Sequence, residues 1–328
     1  MTPPRPGDPI PGLYCQPVPE PDLATVAEVD ARVARWVARE DVCPPQWRQG
    51  LVGFGVGRAV VLQYPDYASM EHLMAAAELL AAENVVDDCY VEDFGGSPEG
   101  LGARLVIAQS ALDPAHLTGK YQGDWERGIQ GDAALRSYRT AMRDFEAIAT
   151  PLQADRFRHD MGRLHLGYLA EATWKLDGRV PEVWEYLTMR QFNSFRPCLT
   201  ITDAIAGYEL PVEIYALPEV QRAVALACNA TTIVNDLYSY TKELAMQHPH
   251  LNLPVVLAAE TGDHRSAYLR AVTVHNDLMR GFEDTAGHLH GQHPLLDRFL
   301  DGLTAWVLGN HRWHQTNTSR YTLPDFWN

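Results

Sequence analysis

The chain has 328 residues, 46% hydrophobic and 21% charged, an ordinary globular mixture that can bury about three quarters of its unfolded surface. Its net charge of −15, with no basic stripe to offset it, excludes nucleic acid and anionic membrane surfaces as general partners, so an anionic ligand has to be met by local cations. Five scattered cysteines without a CxxC, no apolar run long enough to span a bilayer and no basic start followed by an apolar stretch point to a cytoplasmic protein without a disulfide framework, cysteine zinc site, membrane span or signal peptide.

Residues 1–22 hold eight of the 22 prolines, so this segment is expected to be extended or disordered and to lie outside the core. From Ala24, residues Val26, Val29, Val33, Trp36 and Val37 recur at helical spacing. After Pro44-Pro45 comes Gly53-Phe54-Gly55-Val56-Gly57, which lacks the third glycine and the preceding strand of a dinucleotide fingerprint and reads as a site of close helix packing. A long apolar pattern then runs from Asp66 through Met70, Leu73, Met74, Leu80 and Val85 without proline or glycine until Gly95. It carries Asp87, Asp88, Glu92 and Asp93 on helix rather than loop. In α-helical geometry Asp88 and Glu92 stack on one face with Asp87 roughly 100° round from Asp88. Such like-charge pairs cost an isolated helix about 0.2–0.5 kcal/mol each, a sign that a divalent cation reverses. A solvated acidic helix end is the plainer reading of this motif taken alone.

Gly95-Gly96-Ser97-Pro98 is a break, and helical patterns resume at 101–112, 132–149 and 154–176. Pro181 opens a helix that includes Arg190 and is expected to continue past Asn193-Ser194 to Pro197. Pro218 opens another that reaches Glu243, and two more run over 262–290 and 295–314. Strand-like alternation is absent, so the expectation is a single all-α domain from 23 to 328.

Within the helix that begins at Pro218, Asn235, Ser239 and Glu243 stand at i, i+4 and i+8, which lines their oxygens along one face over roughly 12 Å of axis. All three are hard ligands suited to Mg²⁺. A polar stripe on a surface helix is the alternative, but Ala225, Leu226, Ala227, Ile233 and Val234 just before them indicate a buried element, where an unpaired Asn-Ser-Glu face is costly.

Asp87-Asp88-Cys-Tyr-Val-Glu92 together with Asn235-Asp-x-x-Ser239-x-x-Lys242-Glu243 resembles the paired metal motifs of bacterial class I terpene synthases. Arg190 stands where that family keeps a diphosphate-sensing arginine, and Arg320-Tyr321 is similar to its terminal Arg-Tyr pair. The resemblance covers about 35–328, and the stretches VWEYLTMRQFNSFRPCLTITD, NATTIVNDLYSYTKEL, HLNLPVV and TNTSRYTLPDFW are most similar to the branch acting on 2-methylgeranyl diphosphate. The chain departs from the family in its shorter proline-rich tail and in placing Glu83 and Asn84 where many sesquiterpene cyclases present aromatics.

The resemblance implies a helical bundle around a central apolar pocket, a lyase that ionises an allylic diphosphate, and a homodimer. It also implies three Mg²⁺ ions: Asp87 a direct ligand, Asp88 and Glu92 supporting it, and Asn235, Ser239 and Glu243 chelating the third. Arg190, Lys242, Arg320 and Tyr321 are then the groups that hold the diphosphate, with Asn193 and Ser194 as polar neighbours of the substrate. Trp306 is the leading aromatic for sheltering a carbocation, ahead of Trp313, Phe192, Phe195 and Tyr90. The final cation has two fates, water capture to a tertiary alcohol or proton loss to an olefin, and unmethylated geranyl or farnesyl diphosphate is the alternative substrate. A di-iron bundle would need Glu-x-x-His motifs, which the chain lacks. A chain-elongating prenyltransferase would show a second aspartate-rich motif in place of the Asn-Ser-Glu pattern, and a helical scaffold would leave all four motifs without a use.

Overall fold

The computed structural model describes residues 4–91, 98–245 and 250–327. Among these residues there are helices and no strand. The first half comprises α1 (Leu23–Glu40), α2 (Arg48–Phe54), α3 (Val56–Gln63), α4 (Met70–Val86), α5 (Leu101–Leu112), α6 (Lys120–Gly131), α7 (Ala133–Glu146) and α8 (Pro151–Asp177). The second half comprises α9 (Val183–Arg190), three single turns α10 (Arg196–Leu199), α11 (Thr202–Ile205) and α12 (Val212–Tyr215), then α13 (Pro218–Leu244), α14 (Leu253–Thr261), α15 (His264–Leu289) and α16 (Pro294–Thr316).

Local chemistry starts and stops these elements. Ser69 accepts hydrogen bonds from the Glu71 and His72 amides at the start of α4, and Thr150 and Gln153 form a reciprocal capping box at the start of α8, which ends at a left-handed Gly178. The centre of the bundle is α4, whose alanines and leucines are buried on every side. Backbones approach closely where side chains are missing. A methyl group on Gly57 would clash with Asp30 and Val26 of α1, as the glycine-rich stretch suggested, and one on Gly309 would clash with the Leu62 carbonyl, so α16 lies directly against α3.

Two expectations are corrected. The helix opened by Pro181 does not run to Pro197: it stops at Arg190, and residues 191–195 form turns before α10. The turn that follows packs tightly, with the Asn193 backbone against Gly167 of α8 and the Arg190 side chain donating to the Asn193 carbonyl at 3.0 Å. The proline-rich segment is extended over residues 4–22, but it is not outside the core. Ile10 and Leu13 are buried, the Tyr14 amide donates to Asn276 Oδ1 at 2.8 Å and Gln315 donates to the Gly7 carbonyl at 2.9 Å. Prolines prevent helix here without preventing docking. The pattern also gave no sign of α6, of which only Ile129 is buried, or of the short α14.

Histidines inside the bundle make it acid-sensitive. Burial holds His165 and His275 down at about 4 and His311 at about 3, so all three are neutral in the fold and protonate in the unfolded chain below about 6.5. With the unfolded state binding more protons, stability falls as pH drops through 6.5 towards 4. Each isolated histidine of this kind removes about 1.4 kcal/mol by one pH unit below 6.5. Urea unfolding at pH 7.5 and 5.5 is expected to show this loss, and His165→Phe, at the site remote from the other two, is expected to remove one increment of it.

Candidate active site

One cavity, enclosed by α3, α4, α8, α9, α13 and α16, gathers most of the residues that the sequence singled out. Asp87, Asn235, Ser239, Glu243, Arg190, Lys242, Arg320, Tyr321, Asn193 and Ser194 all line it. Apolar and aromatic side chains share the lining with them, Phe54, Leu80, Leu164, Phe195, Pro197 and Trp313 among them. The chamber therefore offers both charged groups and hydrocarbon surface to one ligand.

The aspartate-rich end of α4 is helical, but Asp87–Val91 form a π-helix rather than a continuation of the α-helix. A π-turn changes the angular spacing on which the stacking of Asp88 with Glu92 was based, and such turns gather at functional sites. Asp87 faces the cavity beside Glu83, Asn84 and Val91. Asp88 is not among the lining residues; its charge acts on Cys43 and Cys89. Glu92 lies outside the described residues. Glu83 accepts a hydrogen bond from the Tyr168 hydroxyl at 2.5 Å.

On the facing wall, α13 presents Asn235, Ser239 and Glu243 as its period dictates. The Asn235 amide has its orientation set by His314. Nδ1 of that ring faces the Asn310 carbonyl at 2.8 Å and must carry the proton. Its Nε2 is thus a bare acceptor for Asn235 Nδ2, 3.2 Å away, which turns Asn235 Oδ1 towards Arg190 Nη2 at 3.4 Å. Ser239 Oγ is buried beside the Glu243 carboxyl without satisfying hydrogen-bond geometry, and burial pushes that carboxyl up against an opposing hydrogen bond from Asn252 at 2.8 Å. A buried hydroxyl and a buried carboxyl, one helical turn apart on the face they share with Asn235, are hard oxygens that fit a divalent cation.

Arg190 is clamped from below. Its Nη2 donates to Asp236 Oδ1 at 2.7 Å, while Asp236 Oδ2 accepts from the Tyr186 hydroxyl at 2.8 Å and from the Leu253 amide at 2.9 Å. Burial works against the charge on Arg190, but Asp236 outweighs it and keeps the guanidinium protonated. Glu171 closes the same rim: its burial is outweighed by a hydrogen bond from His250 and by Lys175 and Arg190, which hold its carboxyl at about 2. The Arg320 Nε donates to the Tyr321 hydroxyl at 3.1 Å, and Tyr321 stacks on His314 with ring centres 5.3 Å apart.

Among the aromatics the structure corrects the order of preference. Trp306 is fully buried behind Phe195, with ring centres 5.6 Å apart, and does not line the cavity. Trp313 and Phe195 do, as does Phe54, which the sequence reading passed over. Phe192 instead stacks under Arg163 and Tyr90 donates to Asp132. The sequence reading also missed Asp236, Glu171, Tyr168 and His314. Of these only Asp236 and His314 carried a local signal, as neighbours of Asn235 and of Trp313 in the chain.

Residues 78–281 match the family described as "Terpene synthase family 2, C-terminal metal binding", and the chain belongs to the terpene synthases, in their class I form. It is similar to 2-methylisoborneol synthase of Streptomyces ambofaciens, at 57% identity over 99% of this chain and 74% of that protein. It is also similar to 2-methylisoborneol synthase of Saccharopolyspora erythraea, at 38% identity over 98% and 92%. The crystal structure of 2-methylisoborneol synthase from Streptomyces coelicolor A3(2) in complex with Mg²⁺ and 2-fluoroneryl diphosphate superposes with a TM-score of 0.95 at 56% identity, covering 98% of this chain and all of that one.

Proposed function

We propose that this chain ionises 2-methylgeranyl diphosphate and cyclises it to 2-methylisoborneol with release of diphosphate. The observation that carries the reading is that one cavity brings Asp87, Asn235, Ser239, Glu243, Arg190, Lys242 and Arg320 together with Leu80, Leu164, Phe195 and Trp313, which suits a substrate with an anionic head and a hydrocarbon tail. The similarity to 2-methylisoborneol synthases over nearly the whole chain supports it. Residues 23–328 then form the catalytic domain.

In this reading Asp87, supported by Asp88 and Glu92, and Asn235 with Ser239 and Glu243 would hold three Mg²⁺ ions. When bound, Mg²⁺ neutralises the leaving diphosphate and so lowers the barrier to its departure. Arg190, fixed by Asp236, can fork onto diphosphate oxygens, with Lys242, Arg320 and the Tyr321 hydroxyl as further donors. The apolar walls keep water from the cation, and the faces of Phe195, Trp313 and Phe54 each stabilise it by about 0.5–2 kcal/mol. Ring closure ends with the charge on the carbon bearing the extra methyl, where capture by water gives the alcohol.

The test is parallel incubation with 2-methylgeranyl, geranyl and farnesyl diphosphates and Mg²⁺ in ¹⁸O-labelled water. The expected result is the highest kcat/KM with 2-methylgeranyl diphosphate, a labelled alcohol as main product and no turnover with a chelator. Preference for farnesyl diphosphate would overturn the substrate, and an unlabelled hydrocarbon as sole product would overturn the final step.

A further inference from the structure

Capture of the last cation demands a water with a lone pair aimed into an otherwise apolar chamber. Polar side chains near the head of the cavity use their donors within the protein. Asn84 Nδ2 donates to the Leu80 carbonyl at 2.9 Å, Asn193 Nδ2 donates to Glu171 at 3.0 Å and the Ser194 hydroxyl turns to the Gln191 carbonyl at 3.4 Å. Gln63, the last residue of α3, differs. It is 2% exposed and borders the cavity, and its Nε2 donates to Asn310 Oδ1 at 3.1 Å. Asn310 Nδ2 in turn donates to Thr231 Oγ1 at 2.7 Å. In this buried chain the group left over, Gln63 Oε1, is a buried acceptor without a partner in the protein.

Gln63 also borders a second cavity, on its other side from the reaction chamber, lined by Tyr64, Thr202, Ala305 and Asp301. Asp301 is a surface residue with 74% of its side chain exposed, so this second cavity reaches solvent. Thr202 Oγ1, within it, is another buried hydroxyl oxygen without a partner. Gln63 Oε1 and Thr202 Oγ1 are thus two unsatisfied buried oxygens along the solvent-reaching cavity, and Gln63 borders the reaction chamber as well.

We propose that Gln63 Oε1 holds the water that captures the final cation, and that the second cavity supplies it. This rests on the alcohol-forming reading above. The water donates one O–H to Oε1, which leaves a lone pair directed at the chamber; an amide turned the other way would donate to that lone pair and block it. The C–O bond forms from this lone pair to the tertiary cationic carbon. The resulting oxonium then breaks an O–H bond, and the proton passes to the next water in the second cavity and out to solvent, since an amide is too weak a base to keep it. Nothing is oxidised or reduced.

Gln63→Met keeps the length of the side chain and removes the acceptor. With 2-methylgeranyl diphosphate in ¹⁸O-labelled water, the share of labelled alcohol is expected to fall at least fivefold, the olefin taking its place. Gln63→Glu, which retains an acceptor oxygen in the same shape, is expected to restore the alcohol to within twofold of the parent. Thr231→Val, a change of one group at the far end of the chain, is expected to shift products in the same direction by a smaller factor. A folded Gln63→Met variant with an alcohol share within twofold of the parent would overturn the site; should that variant not fold, an unchanged share in Thr231→Val would do so. A parent that itself forms only unlabelled hydrocarbon would overturn the alcohol reading and the water site together, whereas a labelled parent with an unaffected Gln63→Met removes the water site alone.

Discussion

Asn235→Ala is expected to lower turnover by about 10²–10³-fold, the loss typical of removing one electrostatic contact to the departing charge, while leaving the fold intact. Asn235 lines the cavity and has its amide oriented by His314 on one side and Arg190 on the other, so its carbonyl oxygen is preset for a cation. Alanine is the better helix former, which leaves α13 no weaker as a helix. Asp87→Ala on the opposite wall is expected to behave alike, since Asp87 of the aspartate-rich motif lines the chamber. Initial rates over a range of Mg²⁺ concentrations, with circular dichroism as the folding control, decide the matter. Either variant keeping turnover within about tenfold of the parent, a loss of only ~1.4 kcal/mol in barrier, would remove that residue from the essential ligands.

Asp236→Ala is expected to damage stability and catalysis together. Asp236 is buried and receives Arg190, the Tyr186 hydroxyl and the Leu253 amide, so its removal leaves a buried guanidinium without its ion-pair partner and the Leu253 amide without this acceptor, while the Tyr186 hydroxyl keeps the Leu251 carbonyl at 3.3 Å. Breaking a buried pair from one side costs about 3–5 kcal/mol. The same loss frees the Arg190 side chain from the position from which it reaches the cavity, so kcat should fall well beyond what partial unfolding explains. Urea unfolding and kcat at a temperature where the variant is folded test both parts. Destabilisation under ~1 kcal/mol would show that the pair is not the clamp described.

The contrast between Asn235 and Asp236 shows where legibility in the sequence ends. Asn235, Ser239 and Glu243 were readable because three hard ligands four residues apart face one way on any α-helix, whatever surrounds it. Asp236 sits one step round the same helix with the same chemistry as any acid, and only the position of α9 makes it the partner of Arg190. Arg190 and Arg320-Tyr321 were legible through their order along the chain relative to the metal motifs, which says nothing of how far apart they lie. Trp306 and Trp313 are seven residues apart on α16, nearly in phase on the helix; Phe195, arriving from the turn after α9, covers one and leaves the other on the cavity.

Helical class, the main long helices and the shared face of Asn235, Ser239 and Glu243 were determined by sequence alone, because the period of an α-helix and its capping chemistry are properties of neighbouring residues. Tertiary structure alone decided the π-turn at Asp87–Val91, the packing of Asn193 after α9 against Gly167, the docking of the proline-rich segment through Ile10 and Leu13 and the unpartnered oxygen of Gln63. Each of these depends on atoms brought together from distant parts of the chain, and packing between helices sets such contacts without leaving a period to be read in the residues themselves.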